Sequence, residues 1–346
     1  MHRTRRHQST RHADPRQPIG IRQHHRGCSP QSRALAAGCR LIVKNAVRAW
    51  ALIPDLSWPF ESIDRLAALA PAPPSASIQP VLLPHCPAEL VCASGVPTRR
   101  AILYLHGGAL LTCGLNTHRA LAARLSRAAE AAVLNVGYRM LPAFAPDCAV
   151  ADALDGLRWL KERGYADESI VLAGDSVGGY LALQTALELL RLGRIPTAGV
   201  ATISPLTDLN PNRKILHRNA LRCSMFTGRA VSLFSRYVTE HRSAGSTPPD
   251  TISPVDADLS RMPPVSIHVS ADELLLPDAE LLFQRMLAAG SQCELHLWDG
   301  QIHDFPLAAD FVPEGRRAIS YLGDFVKRVT PTPGRSTDAP DLPNAA

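Results

Sequence analysis

The sequence predicts an α/β domain built on a mostly parallel, doubly wound sheet with helices on both faces, and three observations carry this. Six short apolar runs occur: AILYL (101–105), AVLNV (132–136), SIVLA (169–173), GVATI (199–203), PVSIHV (264–269) and CELHLW (293–298). Between most of them lie helix-period stretches such as ALQTALELLRLG and AELLFQRMLAAG, whose apolar residues recur at three and four. The runs are almost continuously apolar rather than alternating, which is the mark of strands covered on both faces. At 346 residues and 46% hydrophobic composition, the chain can bury one large core plus extensions.

The flanks are of a different character. Residues 1–33 carry eight arginines against Asp14, so a net charge of +6 for the whole chain leaves the remainder near neutral. This segment is expected to be a disordered basic arm rather than a specific nucleic-acid reader. Its Arg5-Arg6 pair is followed by polar residues, so no secretory signal is legible. Residues 34–70 are expected to be N-terminal cap helices. Within them, 41–54 places Ile42, Ala46, Ala49, Trp50 and Ile53 at helical spacing, as a helix packed on the domain or one lying in a membrane interface. The stretch PAPPSASIQP (71–80) is a connector, the catalytic domain is expected over 71–329, and 330–346 is a proline-rich disordered tail. An interval at about 210–245 breaks the strand–helix rhythm and is expected to cover the site. The eight cysteines show neither Cys-x-x-Cys pairs nor zinc spacing with histidine, and read as thiols in a reducing compartment.

The chemistry is concentrated in glycine-rich turns. Gly174-Asp175-Ser176-Val177-Gly178 follows an apolar run and precedes a helix, the strand–turn–helix setting of a nucleophile elbow. Gly174 and Gly178 allow a turn too tight for larger residues, and Ser176 falls at the helix N-terminus, where developing negative charge is favoured. Asp175 is expected to be structural. His106-Gly107-Gly108-Ala109 follows another apolar run and supplies main-chain N–H donors for an oxyanion, with Val177 completing the hole; His106 is expected to orient the loop. With a serine elbow the acid and the histidine follow in that order. Asp272 is the first carboxylate beyond 264–269, and His303 lies in the loop after 293–298, so these are the expected acid and base. By the same reading Glu273 points elsewhere, Asp278 starts the next helix, and His268 and His296 sit within strands. His118, His217 and His241 have no motif around them.

These residues resemble the hormone-sensitive-lipase-like family of microbial carboxylesterases, over roughly 100–327. GYRMLP (137–142), ISPLTDL (203–209) and SPVDADLSRMPP (253–264) are similar to further segments of that family. Ala143 and the following APDCA depart from its pattern without touching the triad. The resemblance implies an α/β-hydrolase fold with a helical cap, made from the segment before 71 and the 210–245 insertion. It also implies a carboxylesterase acting on short- to medium-chain acyl esters, with no cofactor and no metal. Alternatives are a lipase for longer acylglycerols, an amide or formamide hydrolase, and a non-catalytic ligand-binding relative. The expected partner is a small ester, with cytoplasmic location or peripheral membrane contact through 41–54.

Overall fold

A computed structural model describes residues 20–55, 58–69, 75–241 and 253–331. Among them are nine strands: β1 (Gly20–His25), β2 (Ala76–Leu82), β3 (Pro87–Ala93), β4 (Ala101–Leu105), β5 (Ala132–Val136), β6 (Ile170–Asp175), β7 (Gly199–Ile203), β8 (Val265–Ser270) and β9 (Cys293–Trp298). The helices are α1 (Pro30–Leu41), α2 (Val43–Leu52), α3 (Glu61–Ala67), α4 (Leu115–Ala129), α5 (Pro146–Glu162), α6 (Val177–Arg191), α7 (Asn212–Leu216), α8 (Asn219–Arg222), α9 (Gly228–Glu240), α10 (Leu276–Ala288) and α11 (Pro313–Val329). One sheet runs β1-β9-β8-β7-β6-β4-β5-β3-β2, and only the β2–β3 and β3–β5 pairings are antiparallel.

Every residue of β4 to β9 is buried, as the unbroken apolar runs require. The two-residue period of a strand divides the core between the faces. Ile102, Tyr104 and Val171 meet Leu121 and Leu125 of α4 and Leu322 and Phe325 of α11. Leu103, Leu105 and Leu172 meet Leu157 and Leu160 of α5 and Leu181 of α6. Burying each such leucine contributes about 1.5–3 kcal/mol, so the sheet is a rigid platform. Because β4 and β6–β9 run parallel, the loops leaving them gather at one edge, where ligand sites of open α/β sheets form.

Two flanking segments differ from the sequence expectation. Residues 20–33, expected as part of a disordered arm, form β1 and the start of α1, while 1–19 lie outside the described residues. Their basic composition concealed an edge strand paired in parallel with β9. Its alternating side chains are individually engaged. Arg22 pairs with Glu280, His24 with Asp299, and His25 stacks on Trp298 at 3.7 Å and hydrogen-bonds His296 at 3.0 Å. Burial, reinforced by His296, lowers the pKa of His25 to about 4, so it packs as a neutral ring. His268 and His296 are buried in the same stack. Within the expected connector, residues from Ala76 onward form β2, where Pro80 is tolerated because the strand is at the sheet edge and pairs only with β3. The tail beyond 331 lies outside the described residues.

The 210–245 interval contains α7, α8 and α9 as far as it is described. Its first helix is fixed from below by a buried ion pair. Lys214, fully buried, donates to Asp278 Oδ1 at 2.9 Å and to the carbonyls of Asp208 and Asn210. Asp278, in the first turn of α10, also accepts from the N–H groups of Thr207 and Asp208, each at 3.0 Å. Removing one partner of such a pair leaves an uncompensated buried charge, at a cost of about 3–5 kcal/mol. Lys214→Ala is therefore expected to lower unfolding stability by that amount in denaturant titration, whereas an exposed control, Arg191→Ala, leaves the transition midpoint close to that of the wild type.

Candidate active site

The turn after β6 is the tightest feature at the loop edge. Ser176 adopts φ 53° and ψ −119°, and α6 begins at the next residue. Ser176 N–H donates to the Ile203 carbonyl at 2.8 Å and its own carbonyl accepts from Leu206 N–H at 3.0 Å, so the neighbouring strand β7 holds the turn on both sides. A Cβ at Gly178 would lie 1.9 Å from the Leu105 carbonyl oxygen, which is why only glycine lets α6 start so close to β4. The hydroxyl of Ser176 thus stands at the positive end of a 15-residue helix, with no hydrogen-bond partner among the described residues.

The loop leaving β4 lies beside it. Gly108 has φ 111°, and a Cβ there would sit 2.0 Å from the Thr112 carbonyl oxygen. Ala109 and Leu110 follow at φ 56°, so three successive residues adopt left-handed backbone. The N–H groups of Gly108, Ala109 and Val177 make no hydrogen bond among the described residues and are free to receive an anion. Gly107 differs from expectation: its N–H donates to Asp175 Oδ1 at 3.0 Å, so it anchors the loop rather than facing a ligand. His106 is buried, its ring stacked on Tyr138 at 4.3 Å with Nδ1 2.7 Å from the Gly107 carbonyl. Burial and then His118 lower its pKa to about 4, which suits a neutral positioning ring.

Asp175 ties the elbow to this loop. Its carboxylate accepts from Tyr104 Oη at 2.7 Å as well as Gly107, and lies 3.1 Å from His118 Nε2. Burial would raise the pKa of this carboxyl, but the charge and hydrogen bond of His118, with the bond from Tyr104, hold it down at about 2. His118 is raised in turn, because Asp175 outweighs the cost of burial. Nothing in the sequence around His118 signalled this role; α4 delivers the ring from 57 residues away.

The acid beside His303 is not the expected Asp272. Asp272 turns toward the β9 loop, where it accepts from Gly300 N–H at 3.0 Å and lies 3.4 Å from an Arg222 nitrogen, and its side chain is 27% exposed. Glu273, one residue on, points to the opposite side and is buried, with Oε1 3.6 Å from His303 Nδ1. Successive side chains leaving a strand diverge, so an adjacent Asp-Glu pair offers either acid, and sequence alone does not distinguish them. Ser204, unnoticed as a site residue, fixes the choice: its hydroxyl donates to Glu273 Oε2 at 2.8 Å and accepts from Asp304 N–H at 3.2 Å. Its fully buried position and φ of 45° lie within ISPLTDL, the segment whose family resemblance was its only signal.

His303 has a second carboxylate neighbour, Asp304, with Oδ2 3.0 Å from Nε2. Burial alone would lower the pKa of this histidine, but Asp304 and Glu273 together hold it well above the usual range. Asp304 is pushed up to about 7 by burial and by the nearby Asp175 and Glu273, against the pull of His303. The two therefore titrate as a linked pair. Phe226, from the 210–245 interval, closes the outer side of His303 with its ring edge-on at 4.8 Å.

Elsewhere, His85, Asp152 and Asp155 bring ligand atoms within 4.8 Å of one another. Arg139 binds Asp152 through its main-chain N–H, Nε and Nη2, and Arg158 pairs with Asp155, so arginines neutralise these carboxylates.

A family model described as the alpha/beta hydrolase fold matches residues 102–307. The chain is 40% identical over 298 residues to esterase LipU of Mycobacterium tuberculosis, covering 84% of this chain and all of that one. It is 38% identical over 312 residues to carboxylesterase/phospholipase LipF of the same organism, covering 88% and 83%. Among solved structures, the esterase EstE5 soaked with p-nitrophenyl butyrate superposes with TM-score 0.76 at 30% identity, over 87% of this chain and 99% of that one. An esterase of the bacterial hormone-sensitive lipase family gives TM-score 0.76 at 27% identity, over 88% and 99%. Together with the serine elbow and the donor loop, these likenesses establish that the chain belongs to the hormone-sensitive-lipase-like branch of the alpha/beta hydrolases and is a carboxylic ester hydrolase.

Proposed function

We propose that Ser176, His303 and Glu273 form the catalytic triad and that the enzyme acts on short- to medium-chain acyl esters. The observation that carries the triad is the buried Glu273 carboxylate beside His303 Nδ1, clamped by Ser204. His303 takes the Ser176 proton as Oγ attacks the ester carbonyl. The resulting oxyanion is received by the N–H groups of Gly108, Ala109 and Val177, with α6 adding its dipole. His303 then protonates the leaving alcohol, and water activated by the same ring releases the acid from the acyl-enzyme. Glu273 keeps His303 in the tautomer that presents Nε2 to the serine and balances the imidazolium. Asp304 must move off Nε2 for this to occur, and its raised pKa makes that displacement easier because the carboxyl is readily protonated.

Support for the acyl range comes from the Phe226 ring, which stands edge-on 4.8 Å from His303. It is in keeping with an acetyl-hydrolase of Streptomyces hygroscopicus, 36% identical over 256 residues.

Three outcomes follow from these assignments. Glu273→Gln should lower kcat/KM by about 10⁴-fold while Asp272→Asn stays within a few-fold of wild type, both measured with p-nitrophenyl butyrate. Catalysis needs neutral His303, whose pKa is raised by two carboxylates, so activity should fall as pH drops through that raised value. Asp304→Asn removes one of the two and should move the acidic limb of the kcat/KM profile to lower pH; an unmoved limb would show that Asp304 does not charge the base. Across p-nitrophenyl esters, rates should be highest from acetyl to hexanoyl and lower for palmitoyl; the reverse order would favour the lipase reading.

A further inference from the structure

We propose that the outward face of α2 is a docking surface for an anionic lipid interface, joined through Cys223 and Phe226 to the ring of His303. The helix is apolar on two sides. Its inward side buries Trp50 and Ala51 against the domain. The outward side exposes Leu52 within the helix and the capping residues Ile42 and Ile53, at 61%, 73% and 72%, and Leu41 at the end of α1 adds a further exposed side chain at 74%. A single exposed leucine is ordinary, but four large apolar side chains exposed at the two ends of α2 form a patch that water alone does not favour. Leu221 of α8, exposed at 88%, belongs to the neighbouring element that Arg40 and Lys44 grip through the carbonyls of Arg222 and Cys223.

Charge selects the occupant. In and beside α2, the stretch from Arg40 to Pro54 carries Arg40, Lys44 and Arg48 and no aspartate or glutamate. Among the described residues, Arg40, Lys44 and Arg48 pair with no carboxylate; they donate to carbonyls and to Asn45. An apolar patch flanked by unpaired cations is the pattern of an interfacial helix on an anionic bilayer. A second copy would bring the same cations face to face across a two-fold axis, which disfavours self-association through this face.

Position gives the contact its use. Lys44 Nζ donates to the Cys223 carbonyl at 2.7 Å, Phe226 N–H donates to Cys223 Sγ at 3.4 Å, and the Phe226 ring lies against His303. The docked helix is therefore three contacts from His303, and esters dissolved in the interface would meet the covered site without crossing bulk water. This use rests on the esterase assignment, whereas the docking itself does not.

The test is flotation of the full chain with extruded vesicles of phosphatidylcholine alone and of phosphatidylcholine with phosphatidylglycerol. Hydrolysis of p-nitrophenyl acetate in lipid-free buffer is followed in parallel. The expected result is binding to the anionic vesicles only, weakened by salt. Binding should be at least about tenfold weaker in Ile42→Glu/Ile53→Glu and in Arg48→Glu, with the soluble-ester rate within about twofold of wild type. Ser176→Ala should bind as wild type does, so a failure of the esterase assignment and a failure of docking give different results. The proposal is overturned if the wild-type chain binds neither vesicle, or binds both equally. It is also overturned if the α2 variants bind fully, because the contact would then lie elsewhere, for example in the basic residues before Gly20. A wild-type dimer that the α2 variants dissociate in light scattering would assign the face to self-association and overturn it as well.

Discussion

The site depends on one buried carboxylate. Asp175 sits at the last position of β6, and its three partners come from β4, the loop after it and α4. An ionised carboxylate with so little access to water is tolerable only because an imidazole, a phenol and a main-chain N–H surround it. That requirement works in both directions. The same bonds that compensate Asp175 fix the spacing between the serine elbow and the glycine loop after β4. Gly107 illustrates the division of labour: its N–H is spent on Asp175, and those of the two residues after it, in left-handed conformation, make no hydrogen bond among the described residues.

A second clamp organises the other half. Ser204 is held by strand pairing at the end of β7, with its N–H donating to the His268 carbonyl at 2.6 Å, and its hydroxyl orients Glu273 while receiving Asp304 N–H. Since Ser176 N–H is bonded to the residue just before Ser204, Ser176, Glu273 and the loop of His303 are all referred to the end of one strand. Small displacements of β7 would be felt at every reacting group. The buried Lys214–Asp278 pair stabilises the same region from the side of α7, beneath the segment that supplies Phe226.

Much of this was legible in the sequence because it follows from local rules. Six of the nine strands were visible as apolar runs, and the elbow and donor loop were visible because tight turns demand glycine at fixed places. What escaped notice is what depends on distant partners. β1 was hidden by arginines and histidines that find Glu280, Asp299 and Trp298 only in the folded chain. β2 was hidden by a proline that an edge strand can accept. Asp272 and Glu273 are neighbours of similar chemistry, and the direction each takes on leaving β8 is decided by Ser204 and Gly300, both outside the local pattern. His118 reaches Asp175 by tertiary packing alone.

The central claim is that an ester's acyl group passes through a covalent bond to Ser176. The most direct measurement is acid quenching of the enzyme during turnover of p-nitrophenyl butyrate, followed by peptide mass mapping of wild type and of Glu273→Gln. The account predicts one butyryl group on the peptide containing Ser176 and on no other serine, with slower loss of the adduct in Glu273→Gln. Turnover without any adduct in either protein, or an adduct on Ser204 in place of Ser176, would contradict it.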